Sequence, residues 1–115
     1  MYPGFVLGGL RFVWDPAKHV ANVQKHGITF EEAATTWLDP LAVERPDEEH
    51  SRDEQRWLRM GMSLRGVLLV VWSAEGARAG EVVIRLIGAR RATPRERRIY
   101  ESEGREDGPE ERGRR

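Results

Sequence analysis

Apolar residues recur along this 115-residue chain with two different periods, and the change of period divides it. Leu10, Phe12 and Trp14 alternate with Arg11 and Val13, the spacing of a short half-buried strand. Asp15-Pro16 then opens a helix, with Asp15 as N-cap and Pro16 at the first helical position, where its missing N–H costs nothing. This helix runs to His26 and stops at Gly27; Lys25 and His26 in its last turn complement the helix dipole. Thr29 to Glu32 spells a capping box for a second helix, whose apolar stripe is Phe30, Ala33, Ala34, Trp37 and Leu38. Asp39-Pro40 ends it, because the residue before proline is pushed out of the helical region. A short strand, Leu41 to Glu44, and an acidic exposed loop over 46–54 follow.

From residue 55 the period is two. Arg56, Leu58 and Met60 alternate with Trp57, Arg59 and Gly61; Leu64-Arg65-Gly66 turns the chain. Val67 to Trp72 is apolar on both faces, as in a central strand, residues 74–80 read as a loop, and Val82 to Ile87 returns as a strand. Residues 55–87 therefore read as an antiparallel meander. Thr93-Pro94-Arg95-Glu96 is a second capping box, opening a helix with only Ile99 and Tyr100 as large apolar anchors, so it must dock through those two. The expected organisation is a loose leader over 1–9, one domain over 10–103 and a charged, disordered tail over 104–115. The expected fold is α+β: an antiparallel sheet with two N-terminal helices on one face and a C-terminal helix, in the order β-α-α-β-β-β-β-α.

Composition narrows the chemistry. The chain has no cysteine, which excludes disulfides, thiolate metal sites and a Cys nucleophile. No apolar run is long enough to span a membrane and the N-terminal segment lacks a secretory pattern, so a cytoplasmic protein is expected. The zero net charge hides a polarity: residues 61–100 hold 8 basic and 3 acidic side chains, residues 11–60 hold 7 and 10. There is no Gly-rich phosphate loop and no metalloprotease or hydrolase motif, and the three histidines are scattered, so neither a metal nor a cofactor is expected.

What stands out is an arginine constellation: Arg85 in the last strand, Arg90 and Arg91 in the connection after it, and Arg95, Arg97 and Arg98 on the closing helix. Guanidinium groups offer a permanently charged fork that suits phosphate. Cleaving RNA without a metal takes a base for the 2′-hydroxyl proton, a cation for the phosphorane oxygens and an acid for the leaving oxygen. Arginine fills the second role; Glu54, His26 and His50 are candidate bases, and a His, a Lys or an Arg-linked water would serve as acid. The plainer alternative is that Arg56 and Arg59 merely pair with Glu54 and Asp53 on the surface. Of the four tryptophans, Trp37 and Trp72 read as core, while Trp14 and Trp57 are less fixed, and an exposed one could stack a base.

Several separated motifs resemble one family. F-V-W-D-P-A-K at 12–18, N-x-x-K-H-G-I-x-F-x-E-A at 22–33, Asp39-Pro40, H-S-x-D-E-x-R at 50–56 with Gly61, and I-R-L-I-G-A-R-R-A-T-P-R-E-R-R-x-Y-E at 84–101 are similar to BrnT toxins. The resemblance implies a RelE-like fold and a ribonuclease that arrests translation within a bacterial type II toxin–antitoxin pair. It implies a BrnA-like ribbon-helix-helix antitoxin, a heterotetramer joined through the antitoxin dimer, and contact with operator DNA only through that antitoxin. Carried over by position, the family's polar signature falls on Lys25, His26, Glu54, Arg56, Arg85 and Arg90. The expected catalytic set is Glu54, His26, Arg85 and Arg90, with Lys25, Arg56, Arg91 and Arg95 contacting RNA. One departure is Gly88, where the family usually has serine, which leaves a degenerate toxin serving as an antitoxin- or DNA-binding module as the competing expectation.

Overall fold

The computed structural model describes residues 4–107. Six strands form one sheet: β1 (Gly4–Leu7), β2 (Leu10–Trp14), β3 (Val43–Pro46), β4 (Arg56–Met62), β5 (Leu68–Arg78) and β6 (Glu81–Arg91), in the spatial order β1-β2-β6-β5-β4-β3. Helices α1 (Pro16–His26) and α2 (Phe30–Ala34) lie between β2 and β3 in the chain, and α3 (Pro94–Asp107) follows β6. The α+β class is as the sequence predicts, with two corrections to the sheet. β2 pairs with β6 in parallel, Phe12 opposite Ile84, so the sheet is mixed and not wholly antiparallel. Residues 4–7 of the expected loose leader form a strand, turned back onto β2 through Gly8 and Gly9, both at positive φ.

Burial explains both. Phe12 and Trp14 are buried on the helix-covered face, and Phe5 packs on them with ring centroids 6.0 and 5.8 Å away. β1 thus covers an edge of β2 that would otherwise meet water. The core is Phe12, Trp14, Ile28, Phe30, Ala33, Ala34, Leu69, Val71, Ile84, Leu86 and Ala89, all between that face and the two N-terminal helices.

Local structure follows the capping signals with instructive deviations. Asp15 accepts from the Ala17 N–H, and Gly27 closes α1 in the left-handed region. Thr29 caps α2, but Glu32 does not return the bond; its carboxylate accepts the Ser63 hydroxyl at 2.8 Å instead. The expected helix through Leu38 tightens into a 3₁₀ turn at Thr35–Leu38, where the Thr35 and Thr36 hydroxyls bond the carbonyls of Glu32 and Ala33. Leu38 consequently leaves the stripe and is exposed. Residues 74–80 are mostly strand: the β5–β6 hairpin continues to a two-residue turn at Ala79-Gly80, both at positive φ. Arg90 and Arg91 accordingly belong to β6 itself. α3 extends to Asp107, beyond the expected domain end at 103; residues 108–115 of the expected tail lie outside the described residues. Among the described residues no helix is long and apolar enough to cross a membrane.

Candidate active site

The face of the sheet opposite α1 and α2 carries the chemistry. Cross-strand registers place three rows side by side: Arg56, Ala74 and Arg85; then Leu58, Trp72 and Gly88; then Met60, Val70 and Arg90. A bulge where β6 accommodates Ile87 keeps Arg85 and Arg90 on the same face although they are five positions apart. Two residues of β5 separate successive rows, so the first and third are roughly 13 Å apart.

The first row forms one end of the site. Glu54, at the end of the acidic loop, accepts both Nη atoms of Arg85, Nη1 at 3.1 Å from Oε1 and Nη2 on Oε2. Arg56 Nε lies 3.5 Å from Glu54 Oε2, an ion pair whose geometry falls short of a hydrogen bond, and this buried N–H has no hydrogen-bond partner among the described residues. The Arg85 hydrogen bonds, helped by the charges of Arg85 and Arg56, hold the Glu54 carboxyl below its ordinary pKa against an opposing push from burial. Glu54 and Arg56 line a hollow of about 390 Å³ together with Glu49, His50, Arg52 and Asp53. In that hollow His50 Nδ1 sits 2.8 Å from Asp47 Oδ2, and Asp47 is buried.

The third row is a different assembly. Arg90 forks onto Glu96 with two 2.9 Å bonds and stacks over Trp72, its guanidinium carbon 5.4 Å from the ring centre. The Glu96 hydrogen bond raises the Arg90 pKa, while the reciprocal bond, with Thr93 N–H support, lowers Glu96 to about 2 against burial. Above this row a groove of about 330 Å³ runs between α3 and the sheet, with Leu58, Met60, Val70 and Trp72 as an apolar floor and charged residues including Glu44, Arg45 and Glu96 along it. α3 is tied over it by the Tyr100 hydroxyl, which donates to Asp39 Oδ2 at 2.6 Å.

The structure therefore brings Glu54, Arg56 and Arg85 together, and sets Arg90 two rows away. It does not bring Lys25 or His26 to them. Both end α1, which packs on the other face of β6 through Asn22 and the Ala89 backbone, and neither makes a side-chain hydrogen bond or ion pair among the described residues. Arg91 and Arg95 are exposed, without ion pairs among the described residues. Of the plainer alternative, the Arg56–Glu54 pair is present, whereas Arg59 pairs with Glu44 and lies over Trp37 at 4.4 Å. Trp14, less fixed from the sequence, is core; Trp72, expected as core, is half-exposed on the site face. The Asp47–His50 pair escapes sequence reading, its one signal being the i, i+3 spacing within an acidic loop.

The site is thus a guanidinium–carboxylate cluster on the face of a mixed sheet that the two N-terminal helices leave uncovered. Residues 14–96 match the family model "Ribonuclease toxin, BrnT, of type II toxin-antitoxin system", and the chain belongs to that family. Among solved structures it is similar to the 1.1 Å crystal structure of the Brucella abortus ribonuclease toxin BrnT. The TM-score is 0.53 and the identity 20%, over 71% of this chain and 95% of that one. No curated protein matches the chain.

Proposed function

We propose that this chain is a metal-independent endoribonuclease whose catalytic site is the hollow beside Glu54, Arg56 and Arg85. The observation that carries the reading is the three-residue cluster itself: a carboxylate held ionised between two guanidinium groups at the edge of a hollow. An RNA phosphate entering the hollow competes with Glu54 for both arginines. As their N–H groups turn to the phosphate, Glu54 loses the partners that depress its pKa and becomes a stronger base. It then takes the 2′-hydroxyl proton; the 2′-oxygen attacks phosphorus while Arg85 and Arg56 stabilise the phosphorane charge. Breakage of the P–O5′ bond leaves a 2′,3′-cyclic phosphate and a 5′-hydroxyl.

Glu54 is assigned the base role ahead of His26 because α1 stands on the other face of the sheet. Arg90 is assigned to holding α3, with Arg91 and Arg95 as outer RNA contacts, whereas Lys25, on α1 with His26, stands away from the hollow. Gly88 leaves space beside Trp72, where a Cβ would lie 3.9 Å from the ring. The toxin would work in the cytoplasm, neutralised by a BrnA-like ribbon-helix-helix antitoxin in a heterotetramer that meets operator DNA through the antitoxin alone.

One observation favours a second reading, a non-catalytic module kept as corepressor: Arg85 and Arg90 both already hold a carboxylate. Purified protein incubated with varied single-stranded RNAs in excess chelator, with and without ribosomes, separates the two. Cleavage to cyclic-phosphate ends, lowered about 10²- to 10⁴-fold by Glu54→Gln, supports the enzyme. Intact RNA throughout supports the module.

A further inference from the structure

The reaction just described needs a proton donor for the leaving oxygen, and Glu54 is already committed as the base that accepts the 2′-hydroxyl proton. We propose that His50 is that general acid, with Asp47 as its positioning residue; this rests on the ribonuclease reading of the hollow. His50 lines the same hollow as Glu54 and Arg56. The arginines there do not give up protons, whereas imidazole exchanges one near neutrality.

The geometry around His50 has the features of a tautomer lock. A 3₁₀ turn at Glu48–His50 puts Asp47 and His50 on one side, so the Asp47 carboxylate occupies Nδ1 at 2.8 Å. With Nδ1–H engaged, Nε2 is the position that gains and loses the working proton. Asp47 is itself fixed to the site. Its N–H donates to the Arg56 carbonyl at 2.8 Å, and its own carbonyl accepts the Ser51 hydroxyl at 2.6 Å. Ser51 Oγ in turn accepts the Arg56 N–H at 2.9 Å. The acid is thereby built onto the first residue of β4, beside the arginine that would hold the phosphate. As the P–O5′ bond breaks, the Nε2 proton passes to O5′ while Glu54 takes the 2′-hydroxyl proton. His50 ends neutral and Glu54 protonated, and a water-borne proton exchange restores both.

The test uses the full chain, excess chelator and two versions of one short RNA. One has the natural 5′-oxygen at the cleavage site; the other has sulfur there, a leaving group that needs no acid. His50→Gln should lower kcat on the oxygen substrate about 10²- to 10³-fold with KM little changed. It should also remove the alkaline limb of the pH profile, and cleave the sulfur substrate at nearly the parent rate. The charged groups facing His50 are Asp47, Glu49, Arg52, Asp53, Glu54 and Arg56, so Asp47→Asn should move the alkaline limb and lower kcat less. Glu54→Gln should be defective on both substrates. Parent-like cleavage of the oxygen substrate by His50→Gln, or equal losses on both substrates, overturns the assignment. So does cleavage that chelator abolishes and Mn²⁺ restores through a site lost in His50→Gln, which would make Asp47, Glu49 and His50 ligands. An inert parent protein overturns the ribonuclease reading and this inference with it, and is told apart by its failure on both RNAs.

Discussion

Glu96 performs two tasks with one carboxylate. Oε1 accepts the Thr93 N–H at 2.8 Å, closing the capping box of α3, and both oxygens hold the Arg90 fork. Because these bonds favour the ionised form, Glu96 is lowered from 4.5 to about 2. An acid with a depressed pKa stabilises the fold above its unfolded value, and that contribution disappears as pH falls through the folded value. Thermal unfolding should therefore show stability lost between about pH 4.5 and pH 2, on the order of 2–3 kcal/mol. Glu96→Gln should start less stable at neutral pH and lack most of this acid dependence. Tyr100 supplies the second anchor. Burial, with the hydrogen bond to Asp39, pushes its hydroxyl up to about 12. At Asp39, burial pushes up but the Tyr100 hydroxyl and the Met62 and Leu41 N–H groups together win, holding it below its ordinary value. Tyr100→Phe should cost about 1–3 kcal/mol in urea unfolding and abolish the late-titrating tyrosinate signal near pH 12.

At the scale of elements, the side chain that joins α1 to the sheet is Asn22. Its amide donates to the Ile28 and Ala89 carbonyls at 2.9 Å and accepts the Ala89 N–H at 3.0 Å, all buried. Asn22→Leu fits the volume but leaves three backbone groups without partners, each costing about 1–3 kcal/mol, so we expect an insoluble or molten product. Near-UV circular dichroism of any soluble fraction reads the outcome. This residue also marks where sequence reading stops. The caps of α1 and α3 were legible because Asp15, Gly27 and the Thr93–Glu96 pair act within one turn of chain. The Glu32 carboxylate was not, because its partner Ser63 lies 31 residues away. Likewise the β-period located Arg56, Leu58 and Met60 on one face, but the hairpin's extra length came from a two-residue turn carrying Ala, not the usual Asn or Asp, before Gly80.

For the whole molecule, topology decides which arginines can act together. Alternation along each strand predicted a sheet; it contained nothing to say that β2 docks in parallel on β6, since that pairing spans over seventy residues. Nor could it reveal the bulge at Ile87, which sets Arg85 and Arg90 on one face yet in separate rows. Glu54 and Arg85 were singled out as residues, and only the fold shows them as a pair while leaving Lys25 and His26 behind the sheet. The proposed consequence is a division of labour between two carboxylate-clamped arginines. Arg85 pairs with Glu54 beside the hollow and Arg90 braces α3, roughly 13 Å apart by strand rise. Residues that far apart without shared partners combine additively to within about 0.5 kcal/mol. Arg85→Ala should therefore lower kcat with a small change in melting temperature, and Arg90→Ala should lower the melting temperature with a smaller effect on kcat at a temperature where it stays folded. The double variant should show the sum of both effects. Strong coupling in either rate or stability would mean that the two guanidinium groups meet on one phosphate after all, with α3 and its Glu96 swinging away when RNA binds.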